Sequence, residues 1–563
     1  MKKQKIKILA AILLISVIFT ACTSGGGDKD KGEDEKQYEK AYGGEIKIPI
    51  ASVENRNPLL SENESLYSFY DLIYEGLFRF KDDHDIKNVL ADKYTIENEG
   101  RTINVKIKDN VKWHDGEDFT AEDVKFTIDI LRHAFKTKEY RDILSKYDKF
   151  IKPEDIEHIY SVNVVDEKNI TIDFDRSFSN SLETLTFPIF PAHQFVDEEE
   201  NISYDSFLEA KEDFSPIGTG AYKFVNYKKD KQIILEANDN WWNEDKPYIK
   251  NIVGTILKED EFKKAFEEEK IDILKTTFKS FDDFKKDKDA RIHEYPSNDF
   301  DFLGFNFEKD IFKGKKGKSI RKAIAYAIDK DKIIEEVYNE NATKSTVPLL
   351  NNSYLINKEA DSYEHDVKKA KKILKDAGFK KDDKKLKFKL ITNSNDEYRK
   401  ETADMIIKDL SEIGIEVEAK YEDNLENMIS KIKKGDFDIA LLGLELSESP
   451  NLAFAFHSDK IEDGTNFISY SNKEMDKLLV EAFSAKDRKV KKDKYNEIQD
   501  ILLEDLPYVG LFFTNNALVM DERIKGDINP LEYGLYNDIE KWFIPKELQE
   551  KPAEEKNDVE KEE

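Results

Sequence analysis

An alternation of strand and helix patterns over residues 386–444 constrains the fold of this chain more than any other feature. Three segments show strand periodicity or a continuous apolar run, and the two segments between them place apolar residues on one helical face. The predicted strands are 386–392, 415–421 and 438–444, and the predicted helices are 397–413 and 424–434. A β-α-β-α-β order of this kind is expected to form parallel strands joined by right-handed crossovers. The predicted fold class is therefore α/β.

The loop after the last of these strands is the first candidate for ligand contact. In open α/β sheets, ligands bind beyond the carboxyl ends of the strands. The strand 438–444 continues directly into the polar loop 445–450, which ends at Pro450. A plain connection that stops at a proline explains the same residues, and geometry alone leaves both interpretations open.

Composition and motifs exclude several classes of function. Lys and Arg number 90 against 118 Asp and Glu, so the formal net charge is −28. This balance argues against nucleic acid as a partner, because nucleic-acid binders place basic patches on phosphates. The sequence contains no Gly-x-Ser-x-Gly elbow and no His-x-x-x-His pair. The segment 314–319 is two residues short of a phosphate-binding loop and is interpreted as a basic surface loop. We predict no catalytic residues, no metal site, no cofactor and no enzymatic activity.

The N-terminus predicts secretion and a lipid anchor. Residues 1–21 combine a Lys-rich start with an apolar run that is short for a membrane span, as in a signal peptide. The segment that ends at Cys22 resembles a bacterial lipobox, in which the cysteine is lipidated, with palmitate among the expected acyl chains, although Phe19 stands where an aliphatic residue is usual. An ordinary signal peptide with an incidental cysteine is the alternative. We expect 22–42 to be a lipidated flexible tether at the outer face of the cell membrane and 547–563 to be a disordered acidic tail. No later segment is apolar enough to span a membrane.

Motifs spread over most of the body occur in the order of one known family. They are Val-Lys-Trp-His-Asp-Gly at 111–116, Phe-Thr-Ala-Glu-Asp-Val at 119–124, Pro-Ile-Gly-Thr-Gly-Ala-Tyr at 216–222, Asn-Trp-Trp at 240–242 and Ile-Arg-Lys-Ala-Ile-Ala-Tyr-Ala-Ile-Asp at 320–329. With these motifs, the chain resembles the extracytoplasmic solute-binding proteins of oligopeptide and dipeptide ABC transporters, known as family 5. The resemblance rests on the order of the motifs, since none of them is decisive alone.

The resemblance implies a two-lobed fold like that of periplasmic binding proteins, of type II and of the large class with an inserted subdomain. Lobe I is expected at 43–72, 205–298 and 518–546, the inserted subdomain at 73–204, and lobe II at 299–517. The segments that join the lobes near 299–306 and 512–518 are expected to carry the hinge.

The resemblance also implies ligand-binding residues. In the family, the loop that corresponds to 443–450 carries an Asp that pairs with the free amino group of the peptide. Ser447 stands at or near that position, and Leu444 replaces the usual Trp. Glu445 or Glu448 is expected to supply the carboxylate from a displaced position, and if neither does, the ligand lacks a free amino terminus.

Further candidates lie beside that loop and elsewhere. Gly443 and Leu446 belong to the same segment. A peptide backbone is expected to pair with a strand edge near Leu303, Phe305 and Asn306. The remaining candidate, Asn57, belongs to an Asn-Pro-Leu motif near the start of the body.

The leading hypothesis is a monomeric, lipid-anchored receptor outside the cytoplasm. It binds oligopeptides between two closing lobes and delivers them to an ABC permease that a separate ATPase subunit drives. A receptor for another solute, such as a nickel chelate, an opine, an oligosaccharide or a peptide pheromone, is an alternative within the same fold. A surface peptide hydrolase is the alternative from a different class.

Overall fold

The computed structural model describes residues 38–549, apart from 54, 62, 138–152, 178, 197–202, 211–213, 288, 361, 380–385 and 448–450. The predicted leader, Cys22, most of the tether and all but three residues of the tail lie outside the described residues. None of the helices in the described ranges has the length and apolarity that a bilayer crossing requires.

The described residues form both strands and helices, which are numbered in chain order. The strands are β1 (Glu45–Ile50), β2 (Phe78–Phe80), β3 (Ile86–Asn88), β4 (Ala91–Glu97), β5 (Thr102–Ile107), β6 (Ile159–Asp166), β7 (Asn169–Phe174), β8 (Tyr222–Lys228), β9 (Gln232–Ala237), β10 (Asn251–Ile256), β11 (Ile273–Thr277), β12 (Ala290–Phe305), β13 (Ala342–Lys344), β14 (Lys387–Asn393), β15 (Glu416–Glu422), β16 (Ile439–Glu445) and β17 (Tyr508–Asp521). The α-helices are α1 (Glu64–Tyr70), α2 (Ala121–Lys136), α3 (Pro153–Ile156), α4 (Tyr204–Glu209), α5 (Phe262–Glu267), α6 (Phe281–Phe284), α7 (Gly314–Ala327), α8 (Lys330–Tyr338), α9 (Val367–Asp376), α10 (Glu397–Glu412), α11 (Leu425–Lys433), α12 (Ala453–Phe456), α13 (Lys473–Phe483) and α14 (Arg488–Asp505).

One hydrophobic core joins two sheets in the first lobe. The first sheet has the order β1-β10-β9-β8, with β1 and β10 parallel, and the second is the antiparallel sheet β4-β5-β7-β6. Helix α2 contributes Val124, Ile128 and Leu131 to this core, all fully buried at the helical spacing that the sequence shows. The part of the chain predicted as an insertion is therefore packed onto the first lobe through shared apolar surface.

The β-α-β-α-β prediction for the second lobe is confirmed, and each of its five elements begins and ends within one residue of the predicted position. Strand β14 pairs in parallel with β15 on one side and with β16 on the other. The whole sheet is mixed rather than parallel, because β12 and β17 join it antiparallel. The predicted basic loop at 314–319 is wrong: this segment forms the beginning of α7.

Two long strands pass through both halves of the molecule. In β12, Tyr295 belongs to the first core and Phe300 to the second, while in β17, Leu518 belongs to the first and Phe513 to the second. The pairing register of β12 with β17 is interrupted between residues 296 and 300. The chain therefore crosses between the halves at about 296–299 and 514–517. The second crossing lies inside the predicted hinge segment, whereas the first precedes most of 299–306.

Candidate functional site

A cavity of about 360 Å³ lies between elements of both halves. His84, in the turn between β2 and β3, lines it from the first half, and Asn298 lines it at the crossing of β12. The other lining residues belong to the second lobe: Pro348, Leu349, Leu350, Ser353, Glu445, Leu446, Ser447, Asn451, Leu452, Phe454 and Phe513. We call it the interlobe cavity.

Three of the predicted site residues line this cavity. Glu445 is the last residue of β16 and pairs with Asp299 of β12. The N–H of Leu446 donates to the carbonyl oxygen of Asn298 at 2.9 Å, and Ser447 follows it. The polar loop is thus held against the strand crossing. Glu448 lies outside the described residues, so its predicted role stays a prediction.

The lining combines apolar and polar side chains, with one carboxylate, Glu445, among its described residues. Burial lowers the pKa of His84 to about 4, although Asp83 and Asp82 oppose the shift, so the imidazole is neutral at pH 7. Apolar surface comes from side chains such as Leu349, Phe454 and Phe513. The cavity suits a ligand that has apolar groups and one positive charge.

Strand β16 offers backbone groups to an extended ligand. Its pairing with β14 covers Ile439 and Ala440, whereas its pairing with β12 continues to the end of the strand. Within the described residues, 442–444 thus lie beyond the part of β16 that pairs with β14, and β12 is the strand with which they pair. A peptide can add to such an edge through main-chain hydrogen bonds.

Gly443 lies under an ion pair that the sequence reasoning missed. Arg399 donates from Nη2 to Oδ1 of Asp301 at 2.7 Å and from Nη1 to Oδ1 of Asn393 at 3.0 Å. A Cβ on Gly443 would overlap both Arg399 and Asp301. Burial raises the pKa of Asp301, and the charge of Arg399 opposes that rise. The sequence signal was present, because an Asp inside an apolar strand requires a partner.

The predicted strand edge near Leu303, Phe305 and Asn306 is wrong. Strand β12 pairs with β16 over 299–305 and with β17 over 300–304, so both of its edges are occupied. Leu303 and Phe305 are fully buried in the second core. The edge that an extended ligand can use belongs to β16 instead.

The two candidate asparagines serve the fold. Asn306 donates from Nδ2 to the carbonyl oxygen of Phe437 at 3.0 Å. Asn57 donates from Nδ2 to the carbonyl oxygen of Phe207 at 2.7 Å and accepts from the N–H of Leu59 at 3.1 Å. Since both are buried and engaged in these bonds, we do not retain them as ligand contacts.

A second contact joins the two halves away from the strand crossings. Lys491 of α14 donates from Nζ to Oε1 of Glu183 at 2.9 Å and to Oδ1 of Asn180 at 2.6 Å. Lys491 is 1% exposed and Glu183 is 7% exposed, so this ion pair is buried. Arg488 pairs with Asp85 and lies 3.5 Å from Glu183. We call these residues the rim contact.

The molecule has two lobes, two strands that pass through both of them and a cavity between them. This arrangement defines the class of solute-binding proteins. Residues 85–459 match the family described as bacterial extracellular solute-binding proteins, family 5 (middle region), and the chain belongs to this family. This is a family of extracytoplasmic binding proteins.

The similar proteins span nearly all of the chain. It is 28% identical to the oligopeptide-binding protein AppA of Bacillus subtilis (strain 168) over 567 residues, which cover 97% of this chain and 100% of AppA. The structure of AppA from Bacillus subtilis in complex with a nonapeptide matches 90% of this chain and 100% of that one, with a TM-score of 0.57 and 26% identity. The ABC transporter substrate-binding protein CtaP of Listeria monocytogenes has the same fold, with a TM-score of 0.68 at 24% identity over 90% of this chain and 100% of that one.

Proposed function

We propose that this protein binds oligopeptides in the interlobe cavity and delivers them to an ABC permease. The observation that carries the proposal is the position of the 445–447 loop, which lines a cavity between two halves and follows a strand segment that lies beyond the pairing with β14. The similarity to AppA, whose structure holds a nonapeptide, supports the same ligand class.

The peptide backbone pairs with residues 442–444 of β16. Such pairing is insensitive to ligand sequence, because it uses main-chain groups alone. The carboxylate of Glu445 receives the free ammonium of the peptide, and Glu448 is the alternative carboxylate. Apolar residues such as Leu349 and Phe454 accept side chains.

Closure of the two lobes uses the strand crossings at 296–299 and 514–517 as the hinge. A few residues at the ends of elements absorb the change in backbone angles during closure of this kind. The closed form is the one that a permease recognises, and a separate ATPase subunit drives transport.

The chain acts outside the cytoplasm as a lipid-anchored monomer. Cys22 carries the acyl chains, and the residues between it and the body form the tether. Two or three acyl chains suffice for stable anchoring, since each buried CH₂ contributes about 0.8 kcal/mol. Mass spectrometry of the N-terminal peptide from membrane-purified protein tests this anchor directly.

Glu445→Gln tests the ligand proposal. Replacing the carboxylate removes a charge-assisted bond worth about 1.5–3 kcal/mol, so affinity for a peptide with a free amino terminus falls about tenfold to a hundredfold. Isothermal titration calorimetry measures the change, and Glu474→Gln, at an exposed site on α13, is the matched control.

An N-acetylated copy of the same peptide completes the design. It binds wild type and Glu445→Gln equally if the carboxylate faces the ammonium. Unchanged affinity in Glu445→Gln and in Glu448→Gln removes the carboxylate from the proposal. Native mass spectrometry of the purified protein separates a peptide from another solute, and peptide cleavage in that sample contradicts a pure binding role.

A further inference from the structure

A second cavity, of about 260 Å³, lies within the first lobe. Its walls are α1 with the residues that follow it, the β2–β3 hairpin, residues 241–243 and residues 531–540. Tyr533 of this first-lobe cavity contacts His84 of the interlobe cavity, with 3.0 Å between the phenol oxygen and Nε2. The two cavities therefore adjoin.

Aromatic side chains form much of the wall of the first-lobe cavity. They are Tyr67, Tyr74, Phe78, Phe80, Trp241, Trp242, Tyr533 and Tyr536. The faces of such rings attract cations, and Nζ of Lys108 already lies 3.8 Å from the centroid of the Trp242 ring. The wall has the composition of sites that hold organic cations.

Carboxyl groups outnumber cations in this lining, with Asp71, Glu75, Asp538 and Glu540 against Arg79 and Lys87. Two of these four carboxyl groups already have partners within the protein. Glu75 accepts hydrogen bonds from both tryptophans and from Thr219, and Asp538 pairs with Lys541 at 2.9 Å and with Lys87 at 3.7 Å.

The other two carboxyls, Asp71 and Glu540, have no ion pair within 4 Å among the described residues. They are available to a ligand of opposite charge.

Asn537 gives independent evidence for a ligand. It lines the same cavity and is 7% exposed, and its buried amide oxygen has no hydrogen-bond partner among the described residues. Buried acceptors without a donor are rare in folded proteins and require an explanation. A ligand that donates hydrogen bonds would complete this group.

We propose that the first-lobe cavity binds a positively charged group, an ammonium or a guanidinium, between Asp71, Glu540, Asn537 and the aromatic wall. Since the cavity adjoins the interlobe cavity, the group is a Lys or Arg side chain of the bound peptide. This assignment rests on the proposed function, and a free alkylamine carries the same chemistry.

The titration of Asp71 supports this assignment. Burial raises the pKa of Asp71 to about 7, with Arg79 opposing the rise. A cation therefore binds more tightly as the pH rises from 6 to 8, because the ionised carboxylate becomes the main form. The other charged groups that line the cavity are Glu75, Arg79, Lys87, Asp538 and Glu540, and Lys108 lies against Trp242.

The test uses an alanine-rich heptapeptide in which one Lys is moved through each position, with norleucine peptides as uncharged controls. We expect one register in which the Lys peptide binds the purified full chain at least tenfold more tightly than its norleucine counterpart. Asp71→Asn and Glu540→Gln each reduce this preference about tenfold and leave binding of the norleucine peptide unchanged. Glu474→Gln, at an exposed site on α13, is the matched control, and it keeps the preference.

The other outcomes test the cation site and the proposed function separately. Equal binding of Lys and norleucine peptides in every register overturns the cation site and leaves the proposed function intact. Binding of cadaverine that depends on Asp71, without binding of any peptide, supports the cation site and refutes the proposed function. A Lys preference that Asp71→Asn and Glu540→Gln leave unchanged overturns the assignment and leaves the proposed function intact.

Discussion

Glu75 makes the stability of the first lobe fall as the pH rises. Its carboxylate accepts from Nε1 of Trp242 at 2.7 Å, from Nε1 of Trp241 at 3.3 Å and from Oγ1 of Thr219 at 2.9 Å. Burial nevertheless raises the pKa of Glu75 from 4.5 to about 7, against the effect of these donors. The folded protein therefore binds a proton at Glu75 over a pH range in which the unfolded chain has lost it.

The size and sign of this effect follow from linkage. A change of one in a pKa corresponds to about 1.36 kcal/mol, so the rise in the pKa of Glu75 from 4.5 to about 7 corresponds to about 3 kcal/mol of folding stability. Because the folded-state pKa is the higher one, this stability is complete below pH 4.5 and is lost as the pH rises through 7. Glu75→Gln stays neutral throughout and keeps an oxygen acceptor for a tryptophan N–H.

Urea unfolding of wild type and Glu75→Gln at pH 5, 6, 7 and 8 measures the effect. The free energy of unfolding of the variant minus that of wild type is expected to increase by about 2–3 kcal/mol from pH 5 to pH 8. Asp463→Asn is the control, because hydrogen bonds from Thr465 lower the pKa of Asp463 to about 2 and place its titration outside this range. A difference between wild type and Glu75→Gln that stays constant with pH would falsify the reasoning.

Two further substitutions test contacts that hold the fold. Lys491→Met leaves Arg488, at 3.5 Å, as the remaining cation beside the buried Glu183, so we expect a loss at the lower end of about 3–5 kcal/mol in urea unfolding. Most of this loss is recovered when Glu183→Gln is added, and a neutral single variant would show that the pair is not buried in solution. Gly218→Ala places a methyl group on the carbonyl oxygen of Ile73, which cannot move cheaply, so we expect a loss of about 2 kcal/mol or more in thermal unfolding. Gly534→Ala, where a Cβ meets only contacts of 3.8 Å and longer, is its control, and equal losses in the two variants would refute the steric argument.

Local periodicity predicted much of the second lobe. The five elements of the β-α-β-α-β unit follow from apolar spacing alone, because each buries one face or both faces against its neighbours. The placement of the 445–447 loop followed from the rule for strand ends, and the structure puts these residues at a cavity.

Features that depend on distant pairing were not predictable in this way. The run from Phe300 to Phe305 has the composition of a strand, but the sequence does not show which neighbours it takes, so an edge was expected where β16 and β17 occupy both sides. The ion pair between Asp301 and Arg399 joins residues 98 positions apart. The first-lobe cavity likewise draws its lining from segments between residues 67 and 540, which no local pattern relates.

Under the proposed closure of the lobes, the rim contact and the 445–447 loop affect ligand affinity in different ways. Glu183 belongs to the predicted insertion and Lys491 to the second lobe, so their ion pair forms only when these parts meet. A change at this pair lowers the population of the closed form, and the apparent affinity for ligand falls by the same factor although no ligand atom is touched. A change at Glu445 instead removes the proposed ligand contact and leaves the pairing of the lobes in place. Stability and affinity should therefore fall together in Lys491→Met, whereas Glu445→Gln should lower affinity alone.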